Sequence, residues 1–321
     1  MTHNEVRIIN DSDITALHIS PKMCVAWAEE SLRMKYSAIL PPKISLHPQG
    51  NDFFNTMPCI LPSEYNTFGM KEVRRIEQAT PALSSEIFLY DTRNGQMKTI
   101  MGGDWITAMR TGAVTAIAIR LLQKKSVDTY SFIGLGNIGR ACALCLIEDN
   151  LDRKIKFRLM RYKDQAESFI ERMSCYPNVE FEIIDDINTF VAEADVIVSS
   201  ITVATDLICP DNNLYRPGVL VVPVHTRGFQ NCDLFFDKVF GDDKGHIEGF
   251  KYFNQYKHFD ELSNVLLGNS VGRENDNERI LSYNIGLALH DIVYASKILP
   301  LFTDKNSSSF LLSKENRKIW V

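Results

Sequence analysis

The chain has 321 residues, 45% hydrophobic and 23% charged, with 17 glycines and 12 prolines, which excludes a disordered, collagenous or low-complexity protein and leaves room for about two domains. Its formal net charge of −5, from 40 acidic and 35 basic residues, excludes the overall basic field of a general nucleic-acid or membrane-surface binder. A small-molecule partner is the default. The segment from Met1 to Asp11 carries Glu5 and Arg7 and no apolar stretch of signal-peptide length, so a cytoplasmic protein is expected. Apolar runs such as Gly218 to Val224 are strand-sized, far short of a membrane span.

In chain order, Ser20 followed by Pro21 predicts a helix start, and an amphipathic helix runs to about Lys35. Phe53 to Ile60, Thr67 to Val73 and Glu86 to Asp91 read as strands of an antiparallel or mixed sheet, the last followed by a turn at Arg93-Asn94-Gly95. From Trp105 to Gln123 a helical pattern places Ile106, Met109, Ala113, Ala116, Ile117 and Leu121 on one side. Beyond Lys124 the rhythm changes. Short Val-, Ile- and Phe-rich runs at Thr129 to Ile133, Ile155 to Met160, Ala194 to Ser200, Gly218 to Val224 and Leu234 to Gly241 predict a parallel sheet covered on both faces. A final helix is expected from Asn284 to Leu299, stopped by Pro300.

The seven cysteines are odd in number and scattered, which is no disulfide framework. Cys142 and Cys145 form a C-x-x-C inside an apolar helical run with no second pair, so they read as buried small side chains. No metal site is expected.

The strongest motif is Gly134-Leu135-Gly136-Asn137-Ile138-Gly139, which directly follows a predicted strand and opens a helix. In that context Gly134 permits the tight turn, Gly136 lets the backbone approach a pyrophosphate, and Gly139 allows close helix packing. The free N–H groups at the helix start would face the phosphates. At the end of the next strand, Arg161 stands where a 2′-phosphate would be read, and Asp152 and Asp164 are poorly placed for a ribose hydroxyl. NADP(H) is therefore the preferred cofactor, with NAD(H) possible. Arg153, Lys154, Lys156 and Arg158 offer the competing picture of a solvated basic surface.

Around this turn the sequence resembles the ornithine cyclodeaminase and mu-crystallin family. The resemblance rests on Phe68 to Lys71, Asp104 to Val114, Ile133 to Gly139 and Gly286 to Asp291, and extends over nearly the whole chain. It implies an α/β fold with a Rossmann dinucleotide-binding domain plus a mixed α+β substrate and dimerisation domain built from both chain ends. The expected bounds are 1–124 for the substrate domain, 125–280 for the Rossmann domain, and 281–321 for a C-terminal helical segment returning to the first. A homodimer is expected.

The resemblance also implies a cationic clamp for a substrate carboxylate. Lys71 and Arg110 match two of its positions, and Lys43 stands where relatives often carry arginine. Asn55, Met57, Lys71, Lys43 and Arg110 are the expected substrate residues. Thr111, Gly134, Gly136, Asn137, Ile138, Gly139, Arg161 and Thr202 are the expected cofactor contacts. Chemically the clamp is sensible, since arginine takes a carboxylate through paired hydrogen bonds and lysine supplies a compact charge.

Two departures from the cyclodeaminase pattern stand out: His225 replaces an aspartate, and Asn55 replaces a glutamate ahead of Met57-Pro58. Losing both carboxylates weakens a diamine substrate. It favours an oxidoreductase acting on an α-amino or α-imino acid with a free carboxylate, with His225 and Lys71 as catalytic residues. Ammonia-releasing cyclisation with bound NAD, and a non-catalytic NADP(H)-binding protein, are the alternatives.

Overall fold

Strand Thr67–Arg75 buries every second residue from Thr67 to Val73, the pleat's own period of two and the signature of a sheet with one covered face. The structure, a computed structural model, describes residues 2–302 and 308–314. The chain divides into two units, the first made of residues 1–20, 34–110 and 287–321, the second of residues 21–33 and 111–286. Of the segment 281–321 named above, residues 303–307 and 315–321 lie outside the described residues.

The first unit holds a seven-stranded sheet in the order Ser308–Lys314, Thr2–Ile9, Met97–Gly102, Leu83–Asp91, Thr67–Arg75, Phe53–Ile60, Ile44–Leu46. All neighbours are antiparallel except Thr2–Ile9 beside Met97–Gly102, so both chain ends meet in one sheet. Helix Ala288–Ile298 packs on the central strands. It lies so close that a Cβ on Gly69 would come within 2.4 Å of the Ile292 side chain.

The second unit is an eight-stranded parallel sheet in the order Phe259–Glu261, Lys238–Gly241, Ile280–Tyr283, Leu220–Pro223, Val196–Ser199, Thr129–Ile133, Ile155–Met160, Val179–Ile184. The order reverses at Thr129–Ile133, the first of these strands in the chain, whose two neighbours are the second and the fourth, as in a doubly wound nucleotide-binding sheet. Four of its strands, Val196–Ser199, Leu220–Pro223, Lys238–Gly241 and Ile280–Tyr283, are buried at every position, as parallel strands covered on both faces must be.

The expected domain bounds shift at three places. Helix Pro21–Arg33 clusters with the second unit, because Cys24, Val25, Trp27, Ala28 and Leu32 are buried and the helix packs on Asn137–Glu148 and Leu262–Leu267. Helix Asp104–Leu122 passes from the first unit to the second after Arg110, not after residue 124. The third shift is at Ile280–Tyr283, a core strand whose register ties it to Leu220–Pro223 and Lys238–Gly241. The Leu234 to Gly241 run begins in the helix Cys232–Phe235 and becomes strand only over Lys238–Gly241. Helix Asp104–Leu122 is buried all round from Met109 to Ile119 and has no solvent face. Cys142 and Cys145 are buried, and burial pushes the Cys142 thiol up to about 12.

Candidate active site

Lys71 is 1% exposed in the middle of its strand, and a lone ammonium there costs several kcal/mol without partners. Its Nζ donates to Thr107 Oγ1 at 2.6 Å and to Asp291 Oδ1 at 2.9 Å. The same Asp291 oxygen accepts from Arg110 Nε at 3.1 Å. Thr107 Oγ1 in turn donates to the Gly103 carbonyl and touches Ser85 Oγ, which with the Ser85 amide donates to Asp104. Arg110 is 7% exposed, and among the described residues its only partner is Asp291 through Nε. Its two terminal nitrogens are thus left for another anion. Lys71 likewise has a third N–H beyond the two in use.

Two cations and one carboxylate leave this cluster with one net positive charge. Burial lowers Lys71 from its ordinary value to about 8, with Arg110 adding to the fall and Asp291 opposing it. Burial by itself would raise Asp291, but the Arg110 and Lys71 charges outweigh it and hold the carboxyl below its usual range. His290 is fully buried beside them, lowered to about 3 by burial and by Arg110, and is neutral.

Met57 pairs with Lys71 across the sheet and Asn55 with Val73, so both share the face of Lys71. Asn55 Oδ1 is buried without a hydrogen-bond partner. Lys43 is half-buried just before strand Ile44–Leu46, whose Ile44 pairs with Thr56.

In the second unit the glycine turn joins strand Thr129–Ile133 to helix Asn137–Glu148. Gly134 has φ +86°, a conformation that glycine adopts without strain. A Cβ on Gly139 would stand 2.3 Å from the Gly134 carbonyl oxygen, whereas one on Gly136 would meet nothing within 4 Å. The helix begins at Asn137, with no side-chain cap. Its first N–H groups and the open space at Gly136 suit a pyrophosphate. Thr111 is buried in helix Asp104–Leu122, and Thr202 is exposed in a bend after Ser199.

Arg161 is not the open cation pictured from sequence. Its Nε bonds Asp185 and its Nη1 bonds Glu167, because the strand Val179–Ile184 that delivers Asp185 lies beside Ile155–Met160. Nor is Arg158 part of a solvated surface. It is 2% exposed and paired with Glu193 and Glu182.

His225 follows the carboxyl end of strand Leu220–Pro223, with Nε2 2.7 Å from Ser199 Oγ and its ring stacked on Phe229. Burial lowers it to about 4 against a raising backbone hydrogen bond at Arg227. It is therefore neutral near pH 7 and holds no imidazolium proton to give. Sequence reasoning missed Asp291, although a lone carboxylate in the apolar helix Ala288–Ile298 is the same signal that drew attention to Arg110.

The chain is 25% identical over 274 residues to the nodulation efficiency protein NfeD of Rhizobium meliloti, covering 81% of this chain and 83% of that one. It is 26% identical over 226 residues to a Delta(1)-pyrroline-2-carboxylate reductase of Bacillus cereus, covering 65% and 68%. Among solved structures, the Thermococcus litoralis Delta(1)-pyrroline-2-carboxylate reductase in complex with NADH and L-proline superposes with a TM-score of 0.81 at 23% identity, over 92% of this chain and 98% of that one. That likeness shows a shared fold. The family profile matches residues 6–306, and the chain belongs to the ornithine cyclodeaminase/mu-crystallin family.

Proposed function

We propose that this protein is a nicotinamide-dependent oxidoreductase that reduces the C=N bond of a small, cyclic α-imino acid with a free carboxylate. The observation that carries the reading is the buried Lys71–Asp291–Arg110 cluster, with one net positive charge and an open guanidinium fork. Its relatives include reductases of this type. The dinucleotide, seated on the Gly134 to Gly139 turn, supplies the hydride when bound. Arg110 takes the substrate carboxylate through its terminal nitrogens and Lys71 shares it. Lys71 Nζ, at about 8, is well matched to give a proton to the imine nitrogen near neutral pH. The sum is one hydride to carbon and one proton to nitrogen, and an amino acid results. His225, neutral and hydrogen-bonded to Ser199, holds no imidazolium proton to give, so the proton is assigned to Lys71.

Absorbance at the reduced-nicotinamide band tests this with five- and six-membered cyclic imino acids, keto acids plus amines, and ornithine. Net NADH oxidation with the cyclic imino acids is the expected result. Ammonia from ornithine without net cofactor change would establish cyclodeamination instead. Neither signal would leave a nucleotide-binding protein without turnover. The missing carboxylates at Asn55 and His225 speak against cyclodeamination.

The Arg161 pairing also revises the cofactor preference, towards NADH. Two carboxylates against one guanidinium leave a negative surplus where a 2′-phosphate would sit, which repels it. Removing one of the two negative charges by Asp185→Asn should strengthen NADPH relative to NADH by about tenfold, the worth of one charge-assisted contact. Calorimetry of both cofactors on both proteins checks this. A wild type that prefers NADPH, or an unchanged ratio in the variant, would remove Arg161 and its partners from the nucleotide site.

A further inference from the structure

We infer that Asp291 is the positioning residue of the substrate clamp: one of its carboxylate oxygens aims both Lys71 Nζ and the Arg110 fork at the same incoming carboxylate. The inference rests on the carboxylate-binding reading above and assigns a role to a residue outside the cations themselves.

The geometry is specific. Asp291 is fully buried, and Oδ1 alone receives both cations, Lys71 at 2.9 Å and Arg110 at 3.1 Å. Oδ2 is buried with no hydrogen-bond partner, so the hydrogen bonds of this carboxylate are spent on the two cations. Its backbone is anchored through Ile292, whose side chain fills the space that Gly69 leaves on the Lys71 strand, two residues from Lys71. By taking Arg110 at Nε and not at the terminal pair, Asp291 fixes the plane of the guanidinium and leaves the fork unused. A carboxylate bound through the fork would instead have filled it.

Asp291 also sets the charge of its neighbour. Lys71 is faced by Asp291 from one helix and by Arg110 and Asp104 from another; the neutral His290 stands beside Arg110 and Asp291, and the Cys59 thiol of the adjoining strand, which burial raises to about 12 and keeps uncharged, lies near Asp291. Of these, Asp291 gives the largest support to the charged amine, Asp104 gives less, and burial and Arg110 oppose it. Removing the Asp291 charge therefore lets Lys71 lose its proton at a lower pH.

The test is calorimetry of pyrrole-2-carboxylate, a planar and unreactive carboxylate, on the full chain with NADH, in wild type and Asp291→Asn across the neutral and alkaline range. Wild-type affinity is expected to fall as pH rises through about 8. In Asp291→Asn the affinity near neutral pH drops at least about tenfold and the fall moves down by at least about one unit, with NADH affinity unchanged. Equal affinities and equal midpoints overturn the inference, as does a wild type that binds no carboxylate. Probe binding without turnover of any imino acid sinks the proposed reaction and leaves Asp291 in place. Turnover with identical profiles in both proteins does the reverse. If Asp291→Asn does not fold, Lys71→Met is compared with Lys71→Met/Asp291→Asn, in which one buried cation leaves with the carboxylate. Binding at least about tenfold weaker in the double variant supports the role, because a neutral amide oxygen then replaces the charged anchor of Arg110. Equal binding, or failure of the double variant to fold, makes Asp291 a folding residue and overturns it.

Discussion

Replacing Lys71 with methionine is expected to lower imino-acid turnover about 10²- to 10⁴-fold, the usual range for a lost proton donor, and to remove the alkaline limb of kcat/KM. Methionine nearly matches the lysine stem in length and leaves Asp291 paired with Arg110, so the buried charges cancel and the fold should hold. The sign of the pH effect follows from the direction of the shift. Burial lowers the Lys71 amine from 10.5 to about 8, so the free protein keeps the proton below that value and sheds it above. Reduction needs the protonated amine, both as donor and as cation, and kcat/KM should fall as pH rises through about 8. The limb in kcat should lie higher, because a bound carboxylate favours the charged form. Oxidation of the amino acid should show the opposite trend. Initial rates in both directions, measured across the limb, decide the matter. A wild-type profile flat through this range, or a limb that survives in Lys71→Met, would take the proton away from Lys71.

Arg110→Ala is expected to raise KM for the imino acid about ten- to a hundredfold, the equivalent of roughly 1.4 kcal/mol for each factor of ten. The cause is the loss of a two-pronged, charge-assisted grip from a place where water competes poorly. Asp291 would still hold Lys71, so the turnover number should fall less than in Lys71→Met. The contrast separates the two cations: one mainly binds and the other also moves a proton. Steady-state kinetics with calorimetry of NADH checks it. Unaltered kinetics would exclude Arg110 from the substrate, whereas lost NADH binding or lost folding would mark it as a structural cation.

The glycine turn could be read from sequence because it is local. Strand, turn and helix fall within residues 129–148, and two of the three glycines are required by the local backbone, as the Gly134 φ of +86° and the crowding at Gly139 show. Strands Phe53–Ile60 and Ile155–Met160 were legible for a similar reason, since runs of β-branched and aromatic residues state their preference without a partner. Lys71 and Arg110 stood out through the family resemblance and, for Arg110, through the oddity of a charge in an apolar helix. What each charge meets was not legible. Asp291 lies 220 residues from Lys71 and 181 from Arg110, and Asp185 lies 24 from Arg161. Only sheet order and helix packing bring them together. Periodicity says which face a side chain takes and nothing about which distant segment will cover it. The burial that moves Lys71 to about 8 and His225 to about 4 arises from that covering alone. The sequence by itself thus determined the nucleotide turn and the buried parallel strands, carried by local backbone and pattern, while the clamp cations were singled out through the family resemblance. The tertiary structure decided which cations are open, which are spent on internal carboxylates and which group keeps a proton near neutral pH, because desolvation and charge pairing exist only after distant segments pack.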